Sequence, residues 1–151
     1  MRTEIRLATA GQLDVILGQM KRMQEEDPWS EPFDKAVVRA SLAGLIENRA
    51  NGLAYLAQDA AEAVGYLIVC FDYSLEYQGK GAWVDELFVA RSHRGQGIGT
   101  RLLEVAEQAA AEHGAKYLHL EVSHGNPAIE LYRRRGFVDH QRYLMTKRLG
   151  G

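Results

Sequence analysis

A single cysteine, Cys70, stands among the 151 residues. It cannot form an intramolecular disulfide, and with no second cysteine neither a thiolate metal site nor a CxxC redox centre can be built. Its apolar strand context reads as that of a small core residue rather than a nucleophile. An excess of charge is missing as well: 18 Lys+Arg against 20 Asp+Glu leave −2, which is not the basic body that non-specific nucleic-acid binding favours, although a local basic patch stays open. Long apolar runs are absent. No stretch approaches the roughly 18 consecutive apolar residues of a membrane span, and Met1 to Ala10 lack the apolar run of a signal peptide. A cytoplasmic protein with neither membrane nor nucleic acid as a partner is expected. The five histidines show no ligand spacing such as HExxH, so no metal is expected.

What is present is the balance of one globular domain, 46% hydrophobic and 25% charged, with length enough to bury a core and none left for a second full domain. A single domain over residues 1–149 is the reading. It opens with a strand at Glu4–Leu7, then a helix on which Leu13, Ile16, Leu17, Met20 and Met23 recur at 3/4 spacing up to Pro28. A second amphipathic helix starts from Asp34 as N-cap and runs through Val38, Leu42, Leu45 and Ile46. The connecting segment from Gln24 to Asp34 carries acids and no basic residue.

From Gly52 the pattern changes to strands at Leu53–Gln58, Ala63–Phe71 and Gly81–Val89, with Asp59–Glu62 as a hairpin turn. A third helix follows Gly95, Gly97 and Gly99 and stops at Gly114. A strand at Tyr117–Val122 comes next, then a short helix over Asn126–Arg135 with Pro127 at its first position. Val138 and Tyr143–Thr146 suggest one or two closing strands.

The segment from Trp83 to His113 runs strand, basic glycine turn, amphipathic helix, an order that builds an anion site. Glycines let the backbone approach a phosphate closely, several N–H groups share one concavity, and the helix N-terminus adds partial positive charge. Arg91, His93 and Arg94 add donors. The spacing excludes a P-loop, which needs Gly-Lys-Ser/Thr, and weakens a dinucleotide fingerprint, because the sixth position counted from Gly95 is Thr100. A glycine-rich turn that only caps its helix would also account for the residues.

Arg94-x-x-Gly97-x-Gly99 resembles the pyrophosphate signature of the GCN5-related N-acetyltransferase (GNAT) superfamily. A second block, Asn126-x-Ala128-x-x-Leu131-Tyr132-x-x-x-Gly136-Phe137, is similar to one that the superfamily carries one strand and one helix later. The clear resemblance covers Trp83 to Leu149. It implies an α/β GNAT fold, with a mixed, mostly antiparallel twisted sheet of six to seven strands flanked by four helices, and acetyl-CoA as the acetyl-donor cosubstrate. Cofactor contacts implied by it are Leu87, Phe88 and Val89 on a strand splayed from its neighbour, with the Leu87 N–H nearest the acetyl oxygen. Arg94, Gly95, Gln96, Gly97, Ile98, Gly99 and Thr100 follow in the turn, and Asn126, Tyr132 and Arg135 in the second block. Asn126 as a plain helix cap and the run Arg133 to Arg135 as a solvated face are the structural alternatives.

Acetyl transfer to an amine needs a deprotonated nucleophile, stabilisation of an oxyanion and a proton for the departing thiolate. An alkyl ammonium, with a pKa of about 10.4, is mostly protonated at neutral pH. A base is therefore required. Asp85 and Glu86 are candidates that strict strand alternation would send to opposite faces, and the resemblance puts Asp85 ahead. Glu121 is a third. The resemblance makes Tyr132 the general acid for sulfur. An acidic pair in salt bridges and an aromatic on a buried helix face are the competing structural readings.

In the superfamily the first two helices and their loop wall the acceptor. Here that loop supplies Glu26, Asp27 and Glu31 with Trp29, besides Glu25 and Phe33. Carboxylates beside aromatic faces suit a cation, or they form a solvated acidic loop. A small cationic amine of polyamine, diamine or aminoglycoside type is the first expectation for the acceptor. A protein N-terminus or lysine is the second. A non-catalytic acyl-CoA sensor and a nucleotide-binding regulatory domain are alternatives of other classes, and a homodimer is left open.

Overall fold

The computed structural model describes residues 2–150. They group into two compact units, one up to Glu121 and one from Val122. The domain read over residues 1–149 spans both.

The first unit holds five strands, β1 (Glu4–Leu7), β2 (Gly52–Asp59), β3 (Glu62–Ser74), β4 (Gly79–Val89) and β5 (Leu118–Leu120), in the order β1-β2-β3-β4-β5. The three pairs from β1 to β4 are antiparallel, and β5 joins β4 in parallel. The mixed, mostly antiparallel sheet is thus present with five strands rather than six or seven.

Helix α1 (Leu13–Glu26) buries Leu13, Ile16, Leu17 and Met20, the face expected from their spacing. It stops at Asp27 because the residue before a proline is pushed out of the helical region, and Asp27 takes φ −144°, ψ 78°. Helix α2 (Lys35–Glu47) begins where expected, with Asp34 Oδ1 accepting the N–H of Ala36 at 3.1 Å and of Val37 at 3.2 Å. Both helices share a core with Leu56, Tyr66, Ile68 and Phe88 on one face of the sheet. The alternate residues Leu67 and Val69 are buried on the other face, which α3 (Ile98–Glu112) covers with Leu102, Leu103 and Ala106. No helix of the described residues is long and apolar enough to cross a membrane.

The second unit contains α4 (Ala128–Arg134), with Pro127 as its N-cap. Neither Val138 nor Tyr143–Thr146 forms a strand, contrary to the reading of those residues. A strand needs a partner for its ladder and a face to bury. None of these residues is paired, Val138, Tyr143, Leu144 and Met145 are exposed, Tyr143 by 95%, and Gln141 turns the chain with φ 52°. The strand expected over Tyr117–Val122 is likewise reduced to the three residues of β5.

Candidate active site

The central feature is a break in β4. Ile68 pairs with Glu86 while Val69 pairs with Val84, so Asp85 is an extra residue without a partner on β3. The bulge cancels strict alternation. Trp83 and Glu86, three residues apart, pair with Cys70 and Ile68 and share the face that α1 and α2 cover. Asp85 is therefore not sent to a face of its own, as alternation would have it. Its negative charge bears on Glu86, Tyr66 and Cys70.

The break also ends the other ladder. The register with β5 stops at Val84↔Leu120, whereas β4 continues to Val89. The Ala90 N–H donates to Val64 O at 2.8 Å, toward β3. Alternation of backbone direction then turns the N–H groups of Leu87 and Val89 to the opposite edge. Consistent with this, Val89 O accepts Arg94 Nε at 2.9 Å. The N–H groups of Leu87 and Val89 thus face the edge of β4 that the β5 ladder does not reach.

Glu86 is only 5% exposed. Its Oε2 accepts the indole N–H of Trp29 at 2.9 Å, and its buried Oε1 takes no hydrogen bond from the described residues. Burial pushes its carboxyl up to about 7; the Trp29 bond acts the other way, and the charge of Asp85 adds to the rise. The Tyr66 hydroxyl, which donates to Met23 Sδ at 3.1 Å, lies close enough to favour the anion slightly. Asp85 is exposed to solvent along one side, yet the sheet around it removes enough water to raise its carboxyl as well. Cys70, packed against the same core, has its thiol pushed up to about 11 by burial, the condition of an inert side chain.

The loop between α1 and α2 is pinned over this carboxylate. Trp29 donates its backbone N–H to Gln24 Oε1 at 2.9 Å and packs its ring 5.5 Å from Phe33. Asp27 adds its charge to those raising Glu86, and Glu31 is exposed. Glu26 is differently engaged: Oε2 lies 2.6 Å from Arg94 Nη2 and Oε1 lies 2.8 Å from Arg91 Nη2. These ion pairs hold its carboxyl below the usual range, the hydrogen bond from Arg94 being the largest cause. The residue expected to meet an amine meets the glycine turn instead.

In that turn Gly95 and Gly97 have φ +76° and +80°, the left-handed region that favours glycine, and a Cβ at either would meet nothing within 4 Å. Gly97 caps α3, whose first turn contains Ile98, Gly99 and Thr100; the first ladder bond recorded into it is Arg101 N–H to Gly97 O at 3.1 Å. The N–H groups of Ile98, Gly99 and Thr100 precede that bond and are the free donors of a helix start. Gln96 is exposed beside them.

Glu121 is exposed one residue past β5. In the second unit, Asn126, one residue before the N-cap Pro127, accepts the N–H of Ala128 through Oδ1 at 2.9 Å. Tyr132 is half-buried, edge to face with Phe137 at 6.0 Å, and Arg135 is the C-cap of α4. Arg133 pairs with Glu130 at 3.2 Å on the helix surface. Sequence reasoning missed the bulge, Tyr66 and Gln24, because each enters the site through contacts distant in the chain.

The sequence matches the Acetyltransferase (GNAT) family over residues 18–137. It is 49% identical over 56 residues to streptothricin acetyltransferase of Streptomyces lavendulae, covering 36% of this chain and 30% of that protein. It is 32% identical over 77 residues to thialysine N-epsilon-acetyltransferase of Bos taurus, covering 50% of this chain and 45% of that protein. The matched stretches thus span under half the length of these relatives. The fold is similar to a crystal structure of a predicted acetyltransferase with acetyl-CoA from Clostridium acetobutylicum, with a TM-score of 0.83 and 17% identity over 97% of this chain and 96% of that one. With the glycine turn, the open edge of β4 and the match over most of its length, this chain belongs to the acetyltransferase (GNAT) family.

Proposed function

We propose that this protein transfers the acetyl group of acetyl-CoA to a primary amine, and that the acceptor is a small cationic amine. The observation that carries the reading is Glu86: a buried carboxylate with one oxygen unfilled, two residues past the end of the β5 ladder at Val84 and roofed by the aromatic acceptor loop. A base titrating near 7 is half ionised at neutral pH and matched to taking a proton from an ammonium. Glu86 therefore replaces Asp85 as the proposed base. Asp85, exposed beside it, adds negative charge that favours a cationic acceptor. Glu121 has no buried oxygen of this kind among the described residues.

The residues present fit acetyl-CoA. Open space above Gly95 and Gly97, free N–H groups at the start of α3 and the cations of Arg91 and Arg94 suit a pyrophosphate. The outward N–H groups of Leu87 and Val89 suit an extended amide chain and the acetyl oxygen. Acetyl-CoA supplies an activated acyl carbon and a thiolate leaving group. Tyr132 is proposed as the proton donor to that sulfur on its motif alone, with Asn126 and Arg135 as cofactor contacts from the same block.

Two relatives are named for the acetylation of streptothricin and of thialysine, the latter at an ε nitrogen, which supports a small amine over a protein N-terminus. Thiol release from acetyl-CoA across panels of polyamines, aminoglycosides, amino acids and peptides tests donor, reaction and acceptor together. A cationic amine with the highest kcat/KM is the expected outcome. A clear preference for peptides would move the acceptor to a protein amine.

A further inference from the structure

A second carboxylate repeats the arrangement at Glu86. Asp72 lies in β3, opposite Gly81, on the same face as Cys70 and Trp83. Its Oδ2 accepts the indole N–H of Trp83 at 3.0 Å, and its Oδ1 is buried with no hydrogen bond from the described residues. Each acid is thus oriented by one tryptophan through one oxygen while the other oxygen is left buried and unfilled. Leaving such an oxygen desolvated is costly unless something donates to it.

The surroundings of Asp72 specify what would donate. His119 packs tilted against Trp83 at 5.0 Å, and Tyr77 lies 4.6 Å from both His119 and Tyr117. Trp83 touches the carboxylate directly, His119 packs on Trp83, and the Tyr77 and Tyr117 rings continue the cluster; tryptophan and tyrosine faces attract a cation. Gly81 makes room for this carboxylate: a Cβ there would stand 2.5 Å from Asp72 Oδ1 and 3.7 Å from the Tyr117 carbonyl oxygen. Asp72 Oδ1 therefore lies where any other residue at 81 would place a side chain, and the Tyr117 carbonyl oxygen beside it accepts the Ala82 N–H at 2.9 Å. The rings are half-buried and Tyr117 is 48% exposed, so solvent meets the edge of the group, beneath which Asp72 Oδ1 is covered.

Resting on the acetyltransferase reading above, we propose that Asp72, Trp83, His119 and Tyr77 form a subsite for a second, remote ammonium, so that the acceptor is an elongated diamine or polyamine. Ile68, the partner of Glu86, and Asp72 are four residues apart in β3, which separates the two acids by about 13 Å along the strand. The reacting amine is deprotonated at Glu86. The distal ammonium donates to Asp72 Oδ1 against the aromatic faces. A molecule with about eight atoms between its terminal nitrogens spans that interval once a hydrogen bond is added at each end, whereas a four-carbon diamine falls short.

The test compares octane-1,8-diamine and spermidine with octan-1-amine and butane-1,4-diamine as acceptors, in the full chain with acetyl-CoA. The long diamine and spermidine should exceed octan-1-amine roughly tenfold or more in kcat/KM. Asp72→Asn and Gly81→Ala should bring that ratio toward one. Calorimetric titration of octane-1,8-diamine into the unmodified protein and the two variants gives a readout independent of turnover. Turnover of every amine with no advantage for the long diamines overturns the subsite and leaves the acetyltransferase reading in place. No turnover of any amine overturns that reading, and calorimetry then judges the subsite: binding weakened by both substitutions supports it, and equal or absent binding ends it.

Discussion

Glu26 Oε2 meets Arg94 Nη2 at 2.6 Å, across 68 residues of sequence, and joins the last turn of α1 to the glycine turn before α3. The acid stands at a helix C-terminus, where the macrodipole disfavours negative charge, and two guanidinium groups offset this. Arg94 also holds the end of β4 through Val89 O. One side chain thus connects the end of α1, the open strand edge and the glycine turn.

If the pyrophosphate of acetyl-CoA uses Arg94, it competes with Glu26 for the guanidinium and is repelled by the carboxylate. Glu26→Gln should then tighten acetyl-CoA binding by roughly three- to tenfold, or up to about 1.4 kcal/mol. Calorimetry at two salt concentrations measures it, and the gain should shrink as ions screen the charge. Weaker binding would mean that Glu26 positions Arg94 rather than competing for it.

Gly97→Val places a branched side chain where the backbone holds φ +80° and where space lies open. The strain costs about 1–2 kcal/mol in stability, visible as a lowered urea midpoint in a protein that still folds. Acetyl-CoA affinity should fall by far more than tenfold, because the side chain fills the space assigned to phosphate. Unchanged affinity in the folded variant would remove the anion site from this turn.

Tyr132→Phe retains the ring and its edge-to-face contact with Phe137 and removes only the hydroxyl. If that hydroxyl protonates the leaving sulfur, kcat should drop by about 10² to 10⁴ with KM for acetyl-CoA little changed. An unaffected kcat would show that the thiolate leaves without it.

What could be read from the chain was local. The buried stripe of α1, the Asp34 cap and the left-handed glycines before α3 are properties of a few neighbouring residues, and each is where the pattern put it. What could not be read depends on partners. Asp85 alternates with its neighbours in sequence, and only the register between β3 and β4 shows that it is an extra residue. Trp29 reaches Glu86 across 57 residues and Glu26 reaches Arg94 across 68. The acidic loop was therefore legible as acidic, but not as one residue roofing Glu86 and another tied to the turn. Tyr143 to Thr146 have strand composition, yet nothing pairs with them.

Glu86 makes activity and stability move in opposite directions with pH. Its carboxyl titrates near 7 in the folded protein, against an ordinary value of 4.5. The acceptor-dependent rate should therefore rise through about pH 7 as the base ionises. Trp29→Phe removes a bond that favours the anion, so the midpoint should move higher. For stability, the folded state keeps the Glu86 proton between pH 4.5 and 7 while the unfolded chain has released it. The folded state binds more protons in that window, so stability falls as pH rises through it, by on the order of 3 kcal/mol when complete. Glu86→Gln cannot ionise and retains an oxygen for the Trp29 indole. Urea unfolding at pH 5 and pH 8 should find the variant gaining stability relative to the unmodified protein at the higher pH, while losing acetyl transfer. An equal difference at both pH values would mean that Glu86 does not change its charge in this range, and the role of base would return to Asp85.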